Sequence, residues 1–160
     1  MGALTLVRFV PLGRDPSITE KQAMIYLHWG GDAPYMAEVF EEFFLAVEHQ
    51  CGKDTRFHDN EYLAAKFVVW MAAESNSGDE ARPLDFLSVG VKTGTVKAGL
   101  EEGAWTYAVI CNPRSRNLRP TVMVDEALTD GERDVAFHQM TEISEYLEAK
   151  RKNEEEEQDA

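Results

Sequence analysis

His28, Trp29 and Asp32 fall within one short segment, Ile25-Tyr26-Leu27-His28-Trp29-Gly30-Gly31-Asp32-Ala33-Pro34. Histidine changes charge near neutral pH, so a solvent-facing His28 can bind a metal or relay a proton. Asp32 offers a second ionisable group four residues on, and His58 with Asp59 is a further pair that the fold could bring close. A catalytic zinc takes about three protein ligands. The four histidines, His28, His49, His58 and His138, show neither an HxH nor an HxxxH arrangement. The competing expectation is that His28 hydrogen-bonds a backbone carbonyl while Trp29 fills the core beneath the next helix. That reading carries more weight, so no catalytic residue, metal or cofactor is expected.

A second candidate is Asn112-Pro113-Arg114-Ser115-Arg116-Asn117-Leu118-Arg119-Pro120, which gathers Arg114, Arg116 and Arg119 in six residues. Guanidinium forks bind phosphate or carboxylate through two parallel hydrogen bonds. The loop could therefore contact nucleic acid, a nucleotide or the acidic patch of a second copy, or it could be a solvated turn between strands. It lacks the interleaved aromatic residues on which bases stack. Cys111 alternates with Tyr107 and Val109, which reads as a buried core thiol rather than a nucleophile. Gly90-Val91-Lys92-Thr93-Gly94 lacks the leading glycine and following helix of a phosphate loop. No GxSxG, GxGxxG, HExxH or EF-hand loop is present.

The elements that must hold these residues can be read from periodicity. Ala3 to Val10 and Gln22 to Trp29 read as two strands forming an antiparallel hairpin, joined by a polar loop from Pro11 to Glu20. In the second, Ala23, Ile25, Leu27 and Trp29 share one face, and Met24, Tyr26 and His28 the other. Asp32 is placed to cap a helix with Pro34 just inside it, and Gly52 to end it. Met36, Val39, Phe40, Phe43, Phe44 and Val47 mark its apolar stripe. A second helix starts near Asp59 or Asn60 and breaks at Ser75-Asn76-Ser77-Gly78. Tyr62, Phe67, Val68, Val69, Trp70 and Met71 make it nearly apolar all round, so it is either central or presents a stripe to a partner or a second copy.

Further strands are expected over Phe86 to Val91, Trp105 to Cys111 and Thr121 to Val124, with Gly90-to-Gly94 residues after Val91 forming a turn. A last helix begins at Thr129-Asp130-Gly131-Glu132, carries Val135, Phe137, Met140, Ile143 and Leu147, and ends at Lys150-Arg151-Lys152. Residues 1–152 then form one α+β domain of order ββααβββα, an antiparallel sheet packed against amphipathic helices. Residues 153–160 read as a disordered, flexible acidic tail, too poor in apolar groups to fold alone.

Ile25-Tyr26-Leu27-His28-Trp29-Gly30-Gly31, Tyr62-Leu63-Ala64-Ala65-Lys66-Phe67-Val68, and Gly103 followed by Trp105-Thr106-Tyr107-Ala108-Val109 together carry a resemblance. Over about residues 1–111 the chain resembles a family of small bacterial and phage proteins with a Tyr-x-His-Trp-Asp-Gly-Tyr-Pro motif after the N-terminal strand. Gly30 stands here where that motif has its acid, and no tyrosine precedes Pro34. The resemblance implies a phage or mobile-element origin and a fold, but no mechanism.

Charge narrows the class of partner. Twenty-nine acids against sixteen bases leave a formal charge of −13, and the segment from Glu148 onward accounts for only −3 of it. Such a body repels nucleic-acid backbones and attracts basic partners or divalent cations. Two cysteines, Cys51 and Cys111, without CxxC spacing read as reduced thiols, and no apolar stretch approaches a membrane span. The chain is therefore expected to be a non-enzymatic cytoplasmic protein binding another macromolecule, most simply a protein, through His28, Trp29 and Asp32 or through Arg114, Arg116 and Arg119. A homodimer is compatible with this. Two alternatives stand beside it: a small metal-dependent or acid-base enzyme using His28 and Asp32, and an acidic nucleic-acid mimic or Ca²⁺ binder.

Overall fold

The N-terminal strand has apolar residues on both faces because it runs through the middle of the sheet. The computed structural model describes residues 3–13, 22–74, 89–94, 105–125 and 141–158. In it β1 (Ala3–Pro11) buries Leu6 and Arg8 on one face and Thr5 and Val7 on the other. A strand covered on both sides loses the alternation that marks a half-solvated one.

β1 pairs antiparallel with β2 (Gln22–Gly30), the expected hairpin, and on its other side parallel with β4 (Trp105–Cys111), from Thr5 opposite Trp105 to Pro11 opposite Cys111. β3 (Val89–Gly94) pairs antiparallel with β2. β5 (Thr121–Asp125) pairs with β4, and β6 (Thr141–Glu142) with β5. The sheet order is β3-β2-β1-β4-β5-β6. The α+β class and the hairpin hold, but the sheet is mixed rather than antiparallel. The long excursion between β2 and β4 supplies enough chain for a crossover, which a parallel neighbour requires.

α1 (Ala33–Cys51) is entered as its residues dictate: Asp32 in extended conformation accepts a hydrogen bond from the Tyr35 amide at 3.3 Å. Gly52, at φ 56°, ends it with its N–H on the Glu48 carbonyl at 3.0 Å. The buried stripe is the expected one, with Ala33 added. α2 (Asn60–Glu74) is capped by Asp59, whose Oδ1 accepts from the Tyr62 amide at 3.1 Å. Leu63 and Phe67 of α2 are fully buried, whereas Tyr62 and Val69 are exposed, so this helix is central along one side and open along the other.

Between the helices and the sheet lies an aromatic core. Phe67 meets Phe43 edge-on at 5.0 Å and stacks on Phe40 at 5.8 Å; Phe40 touches Tyr107, and Phe44 touches Phe57. Each ring removes a large apolar area from water, and tilted pairs of this kind add a further increment of about 0.5–1.5 kcal/mol.

Three details differ from the expectation. Lys92 to Gly94 continues β3, paired with Gln22 to Met24, rather than turning. Thr141 and Glu142 are strand, so the last helix, α3 (Ile143–Gln158), starts at Ile143. α3 also runs through the acidic segment expected as a tail: glutamate and lysine are good helix formers, and Lys152 pairs with Glu148 at 2.9 Å one turn away. The expected strand residues Phe86 to Ser88, the helix start at Thr129-Asp130-Gly131-Glu132 and its positions Val135, Phe137 and Met140 lie outside the described residues. So do the break at Ser75 to Gly78 and the side chain of Trp29. No described helix is long and apolar enough to cross a membrane.

Candidate functional site

The two candidate clusters stand at opposite ends of α1. The His28–Asp32 turn precedes its first residue. The arginine loop is fastened near its last turn, about 25 Å away at 1.5 Å per residue.

At the first end, packing holds the turn. A Cβ on Gly30 would run into the Thr5 side chain, so glycine is needed at that point for β1 and β2 to approach. An aspartate at this position, as in the motif the segment resembles, has no room there. A Cβ on Gly31 would come within 2.6 Å of the Tyr35 ring. The Gly31 carbonyl accepts a hydrogen bond from the Tyr107 hydroxyl at 3.0 Å, and burial pushes the Tyr107 pKa well above its usual value. Asp32 is occupied as the cap of α1.

His28 belongs to the other side of this corner. It is exposed and shares a face with Tyr26 and Met24, with its Nδ1 3.0 Å from the Tyr26 hydroxyl. The Tyr26 hydroxyl is thus one partner of the imidazole. His58 lies in the connection that follows α1, so His28 and His58 are separated by the length of the helix. The fold therefore does not assemble His28, Asp32 and His58. Among the described residues no group of three or more His, Cys, Asp or Glu side chains is placed to hold a metal ion.

At the other end, the loop is ordered by one of its own arginines. Arg119 donates from Nε and Nη2 to the two Glu48 carboxylate oxygens, both at 2.7 Å, and from Nη1 to Glu41 at 2.8 and 2.9 Å. Glu41 and Glu48 lie two turns apart on α1, so a single guanidinium straddles both. The hydrogen bonds with Arg119 hold the Glu48 carboxyl below the usual glutamate range, and those with Glu48 and Glu41 raise the Arg119 pKa. Around this anchor, the Thr55 hydroxyl donates to the Arg116 carbonyl at 3.1 Å, the Arg114 amide to Asn112 Oδ1 at 3.0 Å, and the Ser115 amide to the Asn112 carbonyl at 3.1 Å. Arg114 and Arg116 are exposed.

Thr55 brings a second loop alongside. Arg56 follows it at φ 54°, a left-handed conformation that costs a non-glycine residue about 1 kcal/mol. Its guanidinium lies 4.2 Å over the Tyr62 ring and 3.5 Å from Asp54, whose charge raises the Arg56 pKa. Lys66 anchors the connection from α2, donating to the Thr55 carbonyl at 2.9 Å and to Cys51 Sγ at 3.3 Å. The Thr55 hydrogen bond to the Arg116 carbonyl thus joins the connection after α1 to the arginine loop. The adjacency of these two loops was invisible to a reading of either alone. A hint was present in Thr55-Arg56, which falls just after the Gly52 stop and so must leave the end of α1.

Cys111 is fully buried, as its alternation implied, and burial pushes its thiol up to about 12. Neither cysteine is in a disulfide. A cavity of about 320 Å³ opens elsewhere, between α2 and the β3 margin of the sheet. Val7, Phe9, Ile25, Ala64, Val68 and Val91 give it apolar walls, with Asn60 and Glu61 at one side.

Comparison with protein-family models, with curated proteins and with solved structures returned no match to this chain.

Proposed function

We propose that this chain is a non-enzymatic, cytoplasmic protein that binds a macromolecular partner, most simply an acidic segment of another protein, through its arginine loop. The observation that carries this reading is the Arg119 bridge to Glu41 and Glu48. One arginine is spent on ordering the loop, and the exposed Arg114 and Arg116 are thereby offered on a frame that Thr55 also holds, through the Arg116 carbonyl. A preorganised surface loses less entropy on association than a mobile one. Guanidinium groups on a rigid loop suit paired carboxylates, and the acidic body elsewhere turns away partners that approach in other orientations. The resemblance of the His28–Trp29 segment to phage and bacterial proteins supports a phage or mobile-element setting.

The test is affinity capture followed by quantitative mass spectrometry, comparing wild type with an Arg114→Ser/Arg116→Ser variant that keeps Arg119. Partners retained by wild type at low salt should be lost from the variant and from wild type at high salt. Equal recovery by both proteins would remove the loop from the interaction.

A further inference from the structure

β1 and β2 begin as neighbours and then part. Their pairing runs from Ala3 opposite Gly30 to Val7 opposite Ile25. Beyond it β1 continues beside β4 as far as Pro11, and β2 continues beside β3 as far as Gln22. The cavity of about 320 Å³ lies at this fork, beneath the first turns of α2. Val7 and Phe9 border it from β1, Met24 and Ile25 from β2, and Val91 at one side. Successive strand residues point to opposite faces, yet Met24 and Ile25 both border the cavity, as a gap between parted strands permits. Protein interiors leave few voids larger than a water molecule, whereas ligand sites are mostly apolar clefts of about 300–1,000 Å³ with a few convergent polar groups.

Two polar residues from α2 meet at one end of this cavity. Asn60 Nδ2 donates to the Phe9 carbonyl at 3.2 Å, holding the helix start over the fork. With its nitrogen so engaged, the amide offers Oδ1, an acceptor. Glu61 adds an exposed carboxylate, with which no side chain among the described residues pairs. Both groups therefore accept hydrogen bonds, and one is anionic. We infer that the fork between β1 and β2 binds a small organic cation, an apolar body carrying a protonated amine. The body enters between Ala65 and Val91, both exposed, and the ammonium donates to the Glu61 carboxylate and to Asn60 Oδ1. A charge-assisted hydrogen bond is roughly twice as strong as a neutral one, which favours an amine over an alcohol of the same shape. A carboxylate or phosphate ligand is repelled by Glu61 and by a chain charge of −13. This site goes beyond the arginine loop and does not depend on it.

The probes are naphthylethylamine, naphthylethanol and naphthylpropionate, which share one ring system and differ in the charge they carry. Each is titrated into the full-length ¹⁵N-labelled protein. The amine should shift the amide resonances of residues 60–68, Phe9, Ile25 and Val91. It should bind at least tenfold more tightly than the propionate, with the alcohol between them. Glu61→Gln should lower the amine to the affinity of the alcohol and leave the alcohol unchanged. Ala65→Phe, which fills the entrance, should weaken both at least tenfold. An Arg114→Ser/Arg116→Ser protein should bind the amine as wild type does, so failure of the loop reading leaves this result intact. Equal affinity for amine and propionate would show unselective apolar capture and overturn the inference. A preference for the amine that survives Glu61→Gln would trace it to the charge of the whole chain and overturn it as well. So would absence of binding, or shifts confined to other elements.

Discussion

The two flanks of α2 are built from the same helix and end in opposite states. Toward α1 it presents Phe67 to a layer of interlocking rings, and both Phe67 and Leu63 are fully buried. Toward β3 it presents Ala64, Ala65 and Val68, and a cavity remains. The difference lies in the side chains: Phe67 joins the rings of Phe40 and Phe43, whereas Ala64, Ala65 and Val68 line a cavity.

The contrast is broken most severely at its closed flank. Phe43→Ala removes a fully buried ring that touches Phe44, Phe67 and Trp70, and should cost about 3–5 kcal/mol in denaturant unfolding. A loss under 1 kcal/mol would mean the ring layer is loosely packed.

Gly30→Ala comes next. The added methyl meets the Thr5 side chain where β1 and β2 approach, an overpacking worth about 1–3 kcal/mol. A Thr5→Ser partner substitution, which keeps the Oγ1 and Cβ that the methyl meets, should recover little of it. Asp32→Ala, which strips the cap from α1, should cost about 1 kcal/mol, while Asp32→Asn should be nearly neutral. If the Asn variant fell as far as the Ala variant, the carboxylate charge rather than the cap would be what matters.

Arg119→Gln should cost about 1 kcal/mol or less, since its carboxylate partners are partly solvated. Its pH dependence is the sharper readout. Glu48 titrates lower in the folded chain than in the unfolded one. Its contribution is present above the ordinary glutamate pKa of about 4.3 and is lost as pH falls through the lower folded value. Wild type and Arg119→Gln should thus converge in stability in acid and separate toward neutral pH. At the open flank, Ala65→Arg should change stability by no more than about 0.5 kcal/mol, because the residue is exposed and the cavity admits a longer side chain. A large loss there would show that the flank is part of the core after all.

Much of the fold was legible along the chain. Asp32, Pro34 and Gly52 mark the ends of α1, and the Met36-to-Val47 stripe marks its buried side. The β4 span from Trp105 to Cys111 follows from alternation alone. The His28–Asp32 corner was legible as a turn held by packing, but the Tyr26 hydroxyl beside His28 Nδ1 was not foreseen. The arginine loop was legible as a basic loop but not in its division of labour. Nothing within Arg114-to-Arg119 says that the last of the three meets Glu41 and Glu48 while the first two stay exposed.

Caps, stops and amphipathic stripes are settled by residues within a turn or two of each other, so the order of types along the chain suffices to place them. The parallel pairing of β1 with β4, the bridge from Arg119 to a glutamate 71 residues earlier, and the gap beside Val91 depend on which distant surfaces meet. Those choices follow from the volume and burial of packed layers, which only a folded chain possesses.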